Sequence, residues 1–440
     1  MTPLSAHERK VARVAADLRA LPPGVFARVE KRAVPHEVPK AADLRRLDHA
    51  IDIRDLEDIL EIDVARRVCV AEPGVTFERL VEATLRHGLA PAIVPEFKTI
   101  TIGGAVAGCS IESMSFRHGG FHDGCLEYEV VTGDAEVLVC TPENEHRLLF
   151  QMLHGTFGTL GISTKLVFRL VPALPYVHVT YKRHGSAQAF LDDVRGRFER
   201  QDVDFMDGII HAPDDLVVCT GGFVEHAPYA RRYAWFMPYY RTTRVLREDY
   251  FRTRDYYFRY DRGVTNVWPV IGSSAALRLA RRFHGALSME HPIVNLDVFV
   301  PFSRSAAFLD WYRGAFGFYP LWCVPYRRVR DYEWIAPRIF DGLGDRLFLD
   351  FAIYGMRQPA GVNCHRLMER KLLEIGGLKT LISHNYFSPD EFWRIWNRDN
   401  YAAAKARADP HNRFRDLYDL TCRAAMGVRA ARSAPGGAPI

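Results

Sequence analysis

Thr99-Ile-Thr-Ile-Gly-Gly-Ala-Val-Ala-Gly108 reads as a β-branched strand running into a glycine pair that opens a segment of small residues. Glycines at such a junction let the backbone come within hydrogen-bonding distance of a bulky anion, and N–H groups at a turn or helix start point at it. A diphosphate suits that cradle, although a lone Gly-Gly pair also serves as a plain tight turn. A second ladder, Gly155-Thr-Phe-Gly158-Thr-Leu-Gly161, leads directly into another expected strand, Gly161-Ile-Ser-Thr-Lys-Leu-Val-Phe-Arg-Leu170. Two glycine-rich junctions in one β-rich region make a stronger case for an extended dinucleotide than either alone. Between them, Ser110-Ile-Glu-Ser-Met-Ser-Phe-Arg-His-Gly-Gly-Phe-His-Asp123 is dense in polar groups and lacks strand alternation, so it reads as part of a site or as a solvated loop.

Outward from this core, Ala6 to Ala20 and Phe77 to His87 carry helical spacing. Period-two alternation marks Ile51 to Leu56, Leu60 to Val64, Arg67 to Gly74, Leu126 to Thr132 and Glu136 to Cys140 as strands. A boundary is expected near Pro175, with α+β segments following to about residue 400, a C-terminal helical segment over 401–430 and a disordered tail over 431–440. The 440 residues, 48% hydrophobic and 25% charged, exclude a disordered chain, a collagen and a disulfide mini-scaffold. A net charge of +5 from interleaved signs gives no nucleic-acid surface. The sequence has no signal peptide core and no apolar run long enough to span a bilayer, so a cytoplasmic protein without a membrane anchor is expected. The eight cysteines are widely spaced, as free thiols would be, and no metal site is expected.

Neither G-x-G-x-x-G after a strand, G-x-x-x-x-G-K-[ST], H-E-x-x-H nor G-x-S-x-G occurs, which removes Rossmann dehydrogenases, P-loop NTPases, zincins and α/β serine hydrolases. What does occur, in order, is Glu72-Pro-Gly-Val-Thr-Phe-Glu-Arg-Leu80, Thr101-Ile-Gly-Gly104 with Gly108, Ile111-Glu-Ser113, Leu126-Glu-Tyr-Glu-Val-Val131 and Gly158-Thr-Leu-Gly161. This series resembles flavoproteins of the vanillyl-alcohol-oxidase (PCMH) class, and more closely the delta(24)-sterol reductase group and its bacterial relatives. The likeness continues through Tyr256-Tyr257, Arg259, Leu321-Trp-Cys-Val-Pro325, Ile353-Tyr-Gly355 and Glu391-Phe-Trp393, and so spans roughly residues 5–425.

The resemblance implies an α+β chain: a two-part PCMH-type FAD-binding domain over residues 1–175, then an α+β cap or substrate domain over 176–400. It further implies FAD contacts from Thr101, Ile102, Gly103, Gly104, Ala105, Val106, Ala107, Gly108, Cys109, Ser110, Ile111, Glu112 and Ser113, and from Gly158, Thr159, Gly161 and Ile162. The R-G-G-H context of covalent attachment is absent, so non-covalent FAD is expected. One departure is that no glycine lies between Gly24 and Gly74, where many members carry a diphosphate loop; the stretch reads Glu30-Lys-Arg-Ala-Val-Pro-His-Glu-Val-Pro39. Lys31 and Arg32 either supply charge to the diphosphate instead or are solvated.

The chemistry so implied is reduction of a carbon–carbon double bond in a sterol-like or fatty-acyl lipid, with NADPH as electron donor. An isolated alkene has no carbonyl to polarise it, so a proton must reach one carbon as hydride reaches the other, which calls for an acid and an aromatic wall. Tyr257 and Arg259 lead within Asp255-Tyr-Tyr-Phe-Arg-Tyr-Asp-Arg-Gly-Val-Thr-Asn-Val-Trp268, a segment that reads equally as an aromatic core strand with edge charges. His118 and His122 are candidate proton shuttles or structural hydrogen-bond partners. Asp350, Tyr354 and Asn385 are substrate-side candidates by resemblance alone. The expected partner is an apolar small molecule, with at most peripheral membrane contact. The alternatives are a soluble flavin oxidase or dehydrogenase of a hydroxylated substrate, and a non-catalytic flavin- or lipid-binding accessory protein.

Overall fold

A computed structural model describes residues 5–33, 44–232, 238–261 and 293–427. The expected tail over 431–440 and the second half of the aromatic segment, 262–268, lie outside them, as do residues 34–39 of the glycine-poor stretch.

Helix Ala6–Arg19 starts at Ser5, whose side chain accepts from the Glu8 N–H while Glu8 reaches back to the Ser5 N–H. Its apolar stripe (Val11, Val14, Ala15, Leu18) packs on Ile51, Leu56, Val131 and Ile162. Strands Ala27–Glu30 and His49–Asp52 pair in parallel beside it. The next sheet is antiparallel in the order Ile59–Asp63, Val68–Ala71, Ile162–Pro172, Cys125–Val131, Val137–Cys140, with Leu89–Pro91 also paired to the long central strand. Glu72 ties this sheet to the first helix by accepting from His7 and Lys10.

The expected strand over Thr99 to Ile102 does not form. Only Thr101 makes a bridge, to Thr76, and its side chain then accepts from the Gly104 N–H at 3.2 Å to start a short helix, Ile102–Ala107. A threonine followed by small residues gives the backbone a cap and room to coil, and these local bonds win over β-branched propensity.

After Pro172 the chain enters an eight-stranded antiparallel sheet, ordered Glu248–Arg252, Tyr176–His184, Asp215–Val224, Phe205–Ala212, Leu321–Arg327, Leu347–Met356, Val294–Pro301, Leu378–Lys379. Side chains alternate between its faces. One set (Met206, Ile210, Cys323, Leu349, Phe351, Ile353) buries against helices Ala187–Arg200, Ser305–Ala315 and Cys364–Ile375. The other (Phe205, Ile209, Trp322, Val324, Tyr326, Phe348, Ala352) joins a core shared with the first half of the chain. The protein is therefore an α+β chain in which a broad sheet lays one face over the glycine-rich loops. Towards the C-terminus, helix Arg398–Ala408 is followed by a π-helical turn at Asp419–Arg423, and Arg415 pairs bidentately with Asp48 at 2.6–2.7 Å.

Gly208 sits under the Phe190 ring on the helix-covered face, where an added Cβ would come within 2.6 Å of that ring. Gly208→Ala is expected to cost about 1–3 kcal/mol by overpacking, read as a fall in the urea midpoint with an unchanged slope.

Candidate functional site

The two glycine ladders meet in space. Gly155 N–H donates to the Val106 carbonyl at 3.2 Å and Phe157 N–H to that of Ala107 at 3.4 Å, so the second ladder clasps the end of helix Ile102–Ala107. Pro73 lies so close that a Cβ on Gly103 would come within 2.7 Å of it. A Cβ on Gly104 would lie 3.2 Å from Thr101 Oγ1 and 3.7 Å from Lys31 Nζ, which places the Lys31 ammonium beside the helix start. Arg32 instead pairs with Glu57 at 3.4 Å and is largely exposed. Ile102, Ala105 and Val106 point into the core, whereas Gly108, Cys109 and Ile111 line a cavity; Ala107 and Ser110 are half-buried between. On the second ladder Gly158 is left-handed (φ 74°), Thr159 turns its hydroxyl to the Thr156 carbonyl, and Gly161 packs on Val130. Ile162 faces the core beneath the N-terminal helix.

Residues 110–123 are not a solvated loop. They coil through a short helix, Ser115–His118, and most of their side chains are buried. Ser113 bonds the Glu112 carboxylate through both its N–H and its hydroxyl, and the other Glu112 oxygen lies 3.1 Å from the Arg259 guanidinium. Arg259 also donates to Asp207 Oδ2 at 3.0 Å, and the same oxygen accepts from the Tyr260 hydroxyl and the Trp322 indole, both at 2.9 Å. The guanidinium is flanked by the rings of Tyr256, Tyr260 and Tyr239 at 4.2, 4.7 and 5.3 Å. The described part of the segment expected as an aromatic strand with edge charges, Asp255 to Asp261, is thus the end of a short helix, Thr253–Tyr257, followed by turns, with Arg259 buried. Tyr257 is buried with its hydroxyl unpaired, and burial raises its pKa. His118 is half-buried, and burial with Arg117 nearby lowers its pKa.

Asp123 makes a second contact across the halves, to the segment that follows strand Leu321–Arg327: it accepts from Tyr332 at 2.9 Å and pairs with Arg330 at 3.1 Å. Beside it His122 is 1% exposed, with neither ring nitrogen hydrogen-bonded. Burial lowers its pKa, so the ring is neutral, and it packs among His154, Tyr332 and Trp334.

The cavity, ≈ 720 Å³ with its open mouth, lies between the two halves. Gly108, Cys109, His122, Gly155 and Phe157 form one wall; Phe299, Tyr326, Tyr332, Trp334, Phe348 and Trp396 form the aromatic remainder. Register along the sheet extends its floor. Val324 and Phe299 both stand opposite Asp350, and Phe299 stands opposite Leu378. The Tyr354 hydroxyl bonds Asp297, one row further on. Asn385 holds the neighbouring loop by donating to the Leu381 and Ser383 carbonyls, and Ile382 of that loop approaches Gly108.

Comparison with known proteins adds a frame to this geometry. Residues 40–141 match a family described as an FAD binding domain. The chain carries a PCMH-type FAD-binding domain. It is 26% identical over 404 residues to the delta(24)-sterol reductase of Homo sapiens, covering 84% of this chain and 77% of that protein. The Arabidopsis thaliana delta(24)-sterol reductase is 23% identical over 435 residues, covering 86% and 77%. Cytokinin dehydrogenase 5 of Arabidopsis thaliana is 30% identical over 150 residues, 33% of this chain and 27% of that one. The FAD-binding domain supplies the glycine wall of the cavity, and its residues fit the cofactor: a cradle in which side chains at 103 or 155 would crowd Pro73 or Cys109, beside a buried histidine with both nitrogens unspent.

Two site carboxyls escape the sequence reading. Asp297 sits in an alternating strand where polar positions suggest water, and Glu96 in a bend ahead of helix Ile102–Ala107; in the fold Asp297 is buried and Glu96 half-buried beside it, and loss of water raises the pKa of both. No sequence signal separates a polar face turned to water from one turned to a second domain.

Arg259→Met would strand Glu112 and Asp207 in the interior. A loss of about 3–5 kcal/mol is expected at neutral pH, and part of it returns at pH 5, because the two acids then bind protons more tightly in the folded than in the unfolded variant. Urea unfolding at the two pH values reads both effects.

Proposed function

We propose that this protein is an FAD-dependent reductase of a carbon–carbon double bond in a sterol-like lipid, with FAD held non-covalently and NADPH as its reductant. The observation that carries the reading is the aromatic cavity set directly against the glycine cradle of the FAD-binding domain. The similarity to delta(24)-sterol reductases along most of the chain supports it. When bound, FAD supplies a two-electron hydride carrier. The protein's own residues do the rest. Thr101 to Gly104 and Lys31 offer N–H groups and one positive charge to a diphosphate. Phe299, Phe348, Tyr326 and Trp396 exclude water and match an apolar side chain rather than a sugar or a peptide. Neutral His122 can donate one hydrogen bond and accept another inside the cavity. The same rings stabilise positive charge developing on carbon as a proton arrives.

No helix among the described residues is long and apolar enough to cross a membrane. A lipid would therefore reach the site by peripheral contact or on a carrier. The cytokinin dehydrogenase match favours a second reading, oxidation of a substrate in the same cavity.

The purified protein is expected to be yellow and to release its flavin on denaturation. It should bleach anaerobically with NADPH and regain colour on addition of a sterol bearing a Δ24 double bond. Bleaching by a hydroxylated or amine substrate instead, with no response to the sterol, would establish the oxidising reading. Gly104→Val is expected to weaken FAD binding at least ~10-fold while circular dichroism stays unchanged, since the side chain intrudes on the cradle.

A further inference from the structure

We propose that Asp350, together with Asp297 and Tyr354, is the source of the proton that this reduction consumes. The inference rests on the function proposed above and names the acid which that chemistry requires.

Among the buried aspartates of the broad sheet, Asp207 and Asp350 differ in what donates to them. Asp207 has an arginine, a tyrosine and an indole all donating to it. Asp350, on the far side of Val324 in the same cross-strand row, is 2% exposed, and its Oδ1 has no hydrogen-bond partner. Its neighbours on that face are Val324 and Phe299, and Phe299 and the adjacent Phe348 both line the cavity. Asp297, one row further, takes the Tyr354 hydroxyl, and Thr380, whose own side chain is 3.5 Å from Asp297, lines the cavity. Glu96, from the first half of the chain, faces this patch, and Glu112 and Asp261 lie near Glu96 in turn, all acidic. The nearby cations are committed elsewhere: Arg259 to Glu112 and Asp207, Lys379 to Glu369 and the His384 carbonyl.

Carboxyls packed together without a cation hold their protons. Burial and the neighbouring Asp297 and Glu96 raise the pKa of Asp350 well above the usual range; burial takes Asp297 to about 6, and burial with Asp297, Glu112 and Asp261 nearby takes Glu96 to about 8. Carboxyls in two settings, Asp207 with three donors on one oxygen and Asp350 without a cation or a side-chain donor, divide the labour of charge anchoring and acid catalysis. In the step itself the alkene π bond breaks. One carbon would take hydride with its electron pair, the two-electron reduction that bound, reduced FAD would supply, and the other would form a C–H bond to the carboxyl proton as the O–H bond of Asp350 breaks. The carboxylate left behind is reprotonated through Tyr354 and Asp297.

The test uses the FAD-loaded protein and the variants Asp350→Asn, Asp297→Asn and Tyr354→Phe, all close in shape to the originals. In stopped flow, anaerobic reduction by NADPH is expected to stay within about two-fold of wild type. Reoxidation by a Δ24-sterol should slow by 10²–10⁴-fold in Asp350→Asn, the usual span of general acid catalysis. The solvent deuterium isotope effect should disappear in that variant, and Tyr354→Phe, by removing the hydroxyl whose hydrogen bond lowers the pKa of Asp297, should shift the pH profile of reoxidation to higher pH. Thermal stability gives a reading independent of turnover. The folded protein binds more protons than the unfolded chain from the ordinary carboxyl range up to the raised pKa values, so its stability should fall as pH rises from 4 to 8. This slope should shrink in Asp297→Asn and Asp350→Asn. Reoxidation at the wild-type rate and pH profile in both aspartate variants overturns the proposal. If no alkene reoxidises the wild-type reduced flavin, the proposed function itself falls, whatever the stability slope shows.

Discussion

One buried guanidinium holds the two halves of this molecule in register. Arg259 spans Glu112 on the cofactor side and Asp207 on the broad sheet, within a box of three tyrosine rings. Removing three charged groups from water is expensive, and the arrangement persists because the guanidinium lies against both carboxylates while Ser113, Tyr260 and Trp322 donate to them. Such a clamp has little tolerance for displacement. Sliding the sheet by one side-chain spacing would unpair two carboxylates at once, so the spacing of the two halves is set by this ion triad.

The cavity joins two chemistries that the chain keeps on separate elements. Backbone groups and small residues face it from the FAD-binding domain, and aromatic rings face it from the sheet and the segment after it. This division follows from what each ligand demands: a phosphorylated cofactor needs close approach of the main chain, and an apolar substrate needs area without hydrogen-bond donors. A delta(24)-sterol reductase-like reaction would use both walls together.

Much of the fold was legible because strand and helix periods were intact. Helix Ala6–Arg19 and the long strand Ile162–Pro172 follow from spacing alone, and the two glycine ladders proved to be neighbours. Thr99 to Ile102 misled because its β-branched residues were read without weighing Thr101 as a helix cap. Arg259 stands out by the family resemblance within an aromatic, charged segment, but its partners come from residues 147 and 52 positions away, and no local pattern records such distances. Asp297 illustrates the general limit. Alternation tells that one face of a strand is polar, and only the tertiary arrangement tells whether water or another part of the chain lies against it.

The parity of the broad sheet has a consequence for how this chain can change. Along Leu347–Met356, odd-numbered residues from Leu349 to Ile353 serve the helix layer, while Phe348, Asp350 and Ala352 serve the cavity. Losing or gaining a single residue inside that strand would exchange the two sets, driving a carboxyl among helices and presenting leucine to the cofactor. Substitutions there can be graded in size and polarity, but length cannot. Insertions and deletions in a lineage of such proteins must therefore collect in the connections between strands, and the strands themselves should keep a fixed count of residues even where few of the letters are shared.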